Sequence, residues 1–360
     1  MLNADTCRSR RDRLRASLDP DSDGYVVLDR SDIQYLSGFS GSNAALFVST
    51  SGSEGDIFST DGRYVEQAAQ QCPDLGVLVA RDCAAAIAEQ CVAQGSRQVS
   101  IDRRSSSNTV ATISGLGLSV AVVDNPVSTL RMIKDADEIA TLTLACHITS
   151  EAVDTLAREI RVGDSEIKIA RRLEQIFGEL GASDRSFATI VASGENSAKP
   201  HHEPGVREIQ AGDLLIIDSG ALVHGYHADM TRTFIVKEAQ PWQRELHSLV
   251  DAAAAAAREA VRPGIALADL DACARDIIGE AGFGEFFGHG LGHGTGLDIH
   301  EAPMIGPRAE GRLEAETTIT VEPGVYLPGR GGVRIEDSLL VTADGHRSLT
   351  TSPRDLRVVG

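Results

Sequence analysis

Four carboxylates and one imidazole in the second half of this chain stand where a strand core wants hydrocarbon. Asp218 sits in LLIIDSG, Asp229 in YHADMTRTF, His293 in GLGHGTG, Glu322 in ITVEPGVY and Glu336 in VRIEDSLLV. A carboxylate buried among Ile, Leu and Val is expensive unless something positive neutralises it. These segments hold no lysine. Four acids and one histidine suit a pair of divalent cations better than an ion pair. The oxygen-rich donor set favours hard or borderline metals over a thiolate zinc site.

Hairpin geometry brings the acids together. In LLIIDSGALVHGYHADMTRTFIV (214–236), two apolar arms flank Gly220 and Gly225. A turn centred on Val223-His224 puts Asp218 opposite Asp229, facing the same side of a sheet. The bland alternative pairs Asp229 with Arg232 and leaves Asp218 capping a turn. In TTITVEPGVYLPGRGGVRIEDSLLV (317–341), Pro328, Gly329, Gly331 and Gly332 supply the turn, and Glu322 falls close to opposite Glu336. Here Arg330 or Arg334 offers the bland partner. Two independent hairpins with inward acidic pairs weaken both bland readings.

A third segment, FFGHGLGHGTGLDIHEAP (286–303), places His289 and His293 four apart. It is not a helical zinc motif. Gly290 occupies the place of the required Glu, and five glycines across 288–296 oppose a helix. No register gives G-x-G-x-x-G either. The glycines suggest backbone running close to a ligand or metal, with His293 projecting inward. His300 makes the third histidine of the stretch. A strand and polar loop, FATIVASGENSAKPHHEP (187–204), end in His201-His202.

Composition narrows the partners. At 360 residues the chain is long enough for two domains, and its 42% hydrophobic content supports ordinary cores. Net charge is −18, which argues against nucleic acid. The six cysteines are scattered, with no C-x-x-C, so a reducing cytoplasmic setting fits best. No run of 18 apolar residues predicts a membrane span, and the arginine-rich N-terminus lacks the apolar core of a secretory signal. Arg8, Arg10, Arg11, Arg13 and Arg15 are expected on the wet face of a first helix.

The first third alternates short strands (25–28, 44–49, 97–102, 118–124) with helices (65–72, 83–94). From residue 130, helical spacing continues for many turns and opens a second domain. That domain carries a faint repeat. Ala157-Arg158-Glu159, Gly163, Glu179 and Gly181 recur as Ala257-Arg258-Glu259, Gly264, Glu280 and Gly282. Two related halves can enclose a cleft between them.

Together the motifs IVASGENSAKPH, GDLLIIDSGALVHGYHADMTRTF, GHGLGHGTGLDIHEAP, TVEPGVY and GVRIEDSLLV resemble the pita-bread metallopeptidases that act on Xaa-Pro bonds. YLSGFSGSNAALFV and STDGRYVEQA resemble the smaller first domain of Xaa-Pro aminopeptidases and prolidases. The resemblance implies an α+β pita-bread (creatinase/aminopeptidase-like) catalytic domain over 129–360, preceded by a smaller α/β N-terminal domain over 1–128. It implies that Asp218, Asp229, His293, Glu322 and Glu336 hold two divalent ions, most simply Mn²⁺, with Co²⁺ or Zn²⁺ as alternatives. It assigns His201, His289 and His300 to the substrate site, the spacing from Ser193-Gly194 favouring His201 over His202. Glu322 is the expected proton relay. Arg334 and Tyr326 lie one or two strand steps from ligands, where they either support them or simply pack beside the site.

The implied activity is hydrolysis of the Xaa-Pro bond at the N-terminus of small peptides with proline at the second position, with an Xaa-Pro dipeptidase as the alternative. A homodimer is also implied, in which the first domain helps close the partner's cleft. Methionine aminopeptidases lack the YLSGF and TDGRY segments. Creatine-type amidinohydrolases do without metal. A non-catalytic binding protein on this fold would have lost ligands, and none is lost here.

Overall fold

The computed structural model describes residues 3–360. It divides into a unit ending at Arg131 and a unit from Met132 to Gly360.

In the first unit the elements are α1 (Ala4–Ser17), β1 (Gly24–Val27), α2 (Arg30–Ser37), β2 (Ala44–Ser49), β3 (Ile57–Thr60), α3 (Val65–Gln71), β4 (Val77–Val79), α4 (Cys83–Ala93), β5 (Gln98–Asp102), α5 (Ser107–Gly115) and β6 (Ser119–Val123). The strands form one mixed sheet, ordered β4-β3-β2-β1-β5-β6. Val26, Phe47, Ile87, Val99 and Ile101 lie in its core. The sequence reading captured the strongest strands and α3 and α4, and overlooked β3 and β4, which are only 4 and 3 residues long. One expectation fails outright. Arg10 and Arg11 are each 1% exposed. Arg10 donates to the Tyr35 carbonyl and lies over the Tyr35 ring, while Arg11 pairs with Asp56 and Asp74. Guanidinium forks are buried when carboxylates and carbonyls satisfy them, and helical periodicity cannot register such distant partners.

The long helical stretch after residue 130 is two helices: α6 (Pro126–Met132), which spans the division, and α7 (Ala136–Glu159). Asp135 breaks them apart. Its side chain caps α7, and Glu138 reaches back to the Asp135 amide, a reciprocal capping box. The second unit continues with α8 (Glu166–Glu179), β7 (Asp184–Arg185), β8 (Ile190–Ser193), β9 (Leu214–Ser219), β10 (Ala221–Val223), β11 (Tyr226–His227), β12 (Met230–Val236), α9 (Pro241–Ala260) and α10 (Leu267–Glu280). It ends with β13 (Gly292–Gly294), β14 (Glu301–Ile305), β15 (Thr318–Val321), β16 (Gly324–Leu327), β17 (Gly331–Arg334), β18 (Asp337–Thr342), β19 (Gly345–Ser348) and β20 (Val358–Val359). Its principal sheets are β20-β12-β9-β8 and β14-β13-β15-β18-β19.

The sequence repeat is structural. α7 then α8 matches α9 then α10. Gly163 and Gly264 both take left-handed φ, at 90° and 84°. Gly163 donates to the Ile209 carbonyl as Gly264 does to that of Leu313. Ser165 bridges Glu208 as Ala266 bridges Arg312. Each copy thus ties its second helix to a returning strand in the same way.

Candidate metal centre

The first acidic hairpin is built by β9 and β12. Its turn lies one residue beyond the expected centre, at His224-Gly225, both with positive φ (51° and 86°). That is the two-residue turn whose twist matches its flanking strands. The register therefore moves by two: Asp218 faces Thr231, not Asp229. Because side chains alternate along a strand, Asp229 stands two residues from Thr231 on the same face, and the acids still meet. In the second hairpin, Gly324↔Arg334 on one side and Val321↔Asp337 on the other leave Glu322 and Glu336 opposite each other.

The bland partners are engaged elsewhere. Arg232 turns away from Asp229 to Asp337, 2.8 Å off, and to the Ser352 carbonyl. Arg330 lies over the Trp242 ring, 4.1 Å from its centre. Arg334 alone reaches the acids, donating to Asp218 Oδ2 at 2.7 Å. It also donates to the Tyr326 hydroxyl (2.7 Å), which itself meets His289 Nε2 at 2.9 Å. A hydrogen-bonded chain thus runs from Asp218 through Arg334 and Tyr326 to His289.

The glycine-rich segment answers to strand packing as well as to the cavity. A Cβ on Gly292 would fall 2.1 Å from the Thr320 carbonyl oxygen, and one on Gly294 would fall 2.2 Å from that of Ala302. Gly292 and Gly294 let β13 lie against neighbouring backbone, and Gly288, Gly290 and Gly292 also line the cavity that holds the acids. His293 nevertheless projects inward. Its Nδ1 faces the Gly294 carbonyl at 3.0 Å, so Nδ1 carries the proton and Nε2 presents a lone pair. That lone pair faces Glu322 Oε1 at 3.4 Å and Asp229 Oδ2 at 3.6 Å.

Three acceptors converging with no donor between them need a cation or protons. Burial, with His300 nearby, pushes the His293 pKa down to about 4, so the ring is neutral near pH 7. Burial, then Glu336, holds Asp229 well above the ordinary carboxyl range. Burial, then Glu322, does the same to Glu336. Glu322 is pushed up to about 7, chiefly by burial. Asp218 Oδ1, Asp229 Oδ1 and Glu336 Oε1 are buried and find no hydrogen-bond partner. Donor atoms of Asp229, His293 and Glu336 lie within 4.8 Å of one another. Orphaned oxygens on three acids around a neutral imidazole are the donor set of a divalent metal centre, and the residues fit one.

All five residues line one cavity of about 1000 Å³, together with His201, His289 and His300. His300 packs edge-on against His293, with ring centres 4.3 Å apart. Both nitrogens of His289 are engaged, by the Gly290 carbonyl and by Tyr326, and burial pushes its pKa down to about 4. His201 and His202 separate cleanly. His202 Nε2 meets the buried Glu166 at 2.8 Å, whereas His201 is exposed on the cavity wall.

The sequence reading missed two contributors. Thr231 donates to Glu336 Oε2 at 2.6 Å, and its place on the acidic face of β12 was a usable signal. Arg308 lines the cavity, in a segment with no pattern that could have singled it out.

Residues 140–343 match the metallopeptidase family M24, and residues 10–133 match the creatinase/prolidase N-terminal domain. An Xaa-Pro dipeptidase of Pyrococcus furiosus is 43% identical over 234 residues, covering 65% of this chain and 67% of that protein. The structure of an Xaa-Pro dipeptidase from Bacillus anthracis superposes with a TM-score of 0.94 at 34% identity, covering 99% of this chain and 100% of that one. An X-Pro aminopeptidase from Thermotoga maritima gives a TM-score of 0.89 at 34% identity, covering 97% and 100%.

Proposed function

This chain belongs to the metallopeptidase family M24, a metallo-exopeptidase with a creatinase/prolidase N-terminal domain, and from that premise we propose that it hydrolyses the Xaa-Pro bond of short peptides. The observation that carries the proposal is the set of orphaned carboxylate oxygens on Asp218, Asp229 and Glu336 around the His293 lone pair. Asp218, Asp229, His293, Glu322 and Glu336 would hold two divalent cations. The oxygen-rich set favours Mn²⁺ over Co²⁺ or Zn²⁺. Bound there, such ions supply Lewis acidity, lowering the pKa of water and polarising a carbonyl.

The remaining work falls to the chain. Glu322, at the metal positions on the cavity wall, is the carboxylate placed to accept a proton and pass it to the departing prolyl nitrogen. His201 and His300, on the cavity wall, would donate hydrogen bonds to the oxyanion or hold the prolyl side. The Arg334–Tyr326–His289 chain holds the Asp218 carboxylate in its orientation. A proline amide carries no N–H and its ring restricts φ, so a dedicated cleft is needed for it.

Two substrate lengths compete. The first-domain segments do not discriminate, because the dipeptidase and the aminopeptidase among the structural relatives both span nearly the whole chain. Arg308 favours the dipeptidase. It lines the cavity, is exposed, and has no carboxylate partner among the described residues. Arg275, the neighbouring guanidinium, is committed to Asp271 and to two carbonyls. Arg308 is thus the available cation for a free carboxylate just after proline. With Mn²⁺ added, Ala-Pro should be cleaved faster than Ala-Pro-Ala. Arg308→Met should raise KM for Ala-Pro by about 10- to 100-fold, the worth of a charge-assisted hydrogen bond, and leave Ala-Pro-Ala little changed. Equal cleavage of both peptides would favour the aminopeptidase; cleavage of neither, with metal bound, would defeat the peptidase reading.

A reducing, cytoplasmic setting is supported by the six cysteines, none of which is in a disulfide among the described residues. Among the described residues no helix is long and apolar enough to cross a membrane. A homodimer is part of the same proposal.

A further inference from the structure

His201 faces the cavity with no hydrogen-bond partner for its ring among the described residues. Nothing in its own side chain's surroundings therefore fixes where it points. Its aim depends on the backbone of the loop that carries it, and that loop converges on one buried acid. Glu166 opens α8, and its side chain is fully buried. Glu166 Oε1 accepts from the Ser193 amide (2.9 Å), the Ser193 hydroxyl (2.7 Å) and Asn196 Nδ2 (3.0 Å). Its Oε2 accepts from His202 Nε2 (2.8 Å) and from the Gly205 amide (3.2 Å).

These five donors bracket His201 on both sides: two residues before it in the loop, its immediate neighbour, and the loop's exit. Arg207 closes the bracket from outside, donating to the Ser193 hydroxyl and to Asp213. The 2.8 Å contact makes Nε2 of His202 the donor, so Glu166 also sets that ring's orientation. Burial opposes the charge on Glu166, but the hydrogen bonds from Asn196, His202 and Ser193 outweigh it and hold its pKa below the usual carboxylate range. An ionised carboxylate saturated by five donors is a rigid anchor, because releasing any one of them leaves a buried charge under-satisfied.

We propose that Glu166, acting through His202 and the 193–205 loop, is a positioning residue that aims His201 at the scissile bond. The proposal rests on the reading of His201 as a substrate-site residue. Glu166 touches no substrate and lies outside the metal ligands. The loop also meets Arg334 and Gly332 through Pro200 and Ser197, so the positioning role is identified by an effect that vanishes when the His201 ring is absent.

A double-mutant cycle on the full-length, Mn²⁺-loaded protein tests this, with Ala-Pro as substrate. Glu166→Gln keeps the shape but turns an N–H₂ group toward existing donors. It should lower kcat by about 10- to 100-fold, the range for a misplaced catalytic group, with metal content unchanged. In a His201→Ala background the same change should alter kcat by less than about 2-fold. If Glu166→Gln does not fold, Asn196→Ala removes a single donor and should show the same dependence on His201 at smaller amplitude. A loss of equal size in both backgrounds, or no loss in either, overturns the positioning role. Full kcat in His201→Ala overturns instead the substrate-site reading of His201 itself.

Discussion

His293 shows at the scale of one residue why this site needs an ion. Its Nε2 lone pair faces carboxylates at 3.4 and 3.6 Å, and no protein donor intervenes. The groups that orient the acids should matter nearly as much as the acids. Thr231 uses its hydroxyl twice, donating to Glu336 at 2.6 Å and accepting from Arg334 at 3.0 Å. Hydrogen-bond partners of metal ligands commonly contribute about 10- to 100-fold in affinity or activity. Thr231→Val keeps the shape and deletes both bonds, so it should weaken Mn²⁺ binding by about that range. Asp218→Asn should lower bound metal and activity together. Isothermal titration with Mn²⁺ and metal analysis of the purified variants measure both. Tight binding and full activity in Asp218→Asn would remove that residue from the ligand set.

The elements explain what could be read in advance. A carboxylate inside an apolar run is a local signal, so the acids of β9, β15–β16 and β17–β18 were visible in the chain. So was the repeat, because its glycines take left-handed φ at matching places. Distant pairing was not visible. The turn at His224-Gly225 moved the register by two residues, and nothing local announces that Arg10 and Arg11 are buried by partners 25 or more residues away. The glycines of 288–296 marked the cavity wall, which Gly288, Gly290 and Gly292 line, but not the strand packing that Gly290, Gly292 and Gly294 also serve. That second role is testable within the stripe. Gly288 has open space around its Cβ position, whereas Gly292 would meet the Thr320 carbonyl at 2.1 Å. Overpacking typically costs about 1–3 kcal/mol, and a clash with backbone belongs at the upper end or beyond. At about 2–4 °C per kcal/mol for a unit of this size, Gly292→Ala should melt several degrees lower. Gly288→Ala should melt close to the parent. Equal melting temperatures would mean that strand packing does not require a glycine at position 292.

At the scale of the molecule, the centre is a concentration of like charge in a chain that already carries −18. Without metal, Asp229, Glu322 and Glu336 keep protons in the fold that they would release when unfolded. An acid with a raised folded pKa contributes stability fully present below its unfolded pKa and lost as pH rises through the folded value. For Glu322 that window runs from 4.5 to about 7. Asp337 and Glu166 act in the opposite sense, since their partners lower their pKa values, but their contribution is lost only as pH falls below the ordinary carboxylate range. Between about pH 5 and 7 the buried His289 and His293 oppose these acids in the metal-free protein, because their lowered pKa values make stability rise with pH, so the acids are isolated by the metal-dependent difference. A divalent ion replaces those protons, so the melting-temperature gain on adding Mn²⁺ should grow over the same interval. At a hundredfold excess over Kd the gain corresponds to about 2.7 kcal/mol. Calorimetric scans of the metal-free and Mn²⁺-loaded protein at several pH values decide the matter. A Mn²⁺ effect that does not vary with pH would mean these carboxylates are neutralised by something other than the cations assigned to them.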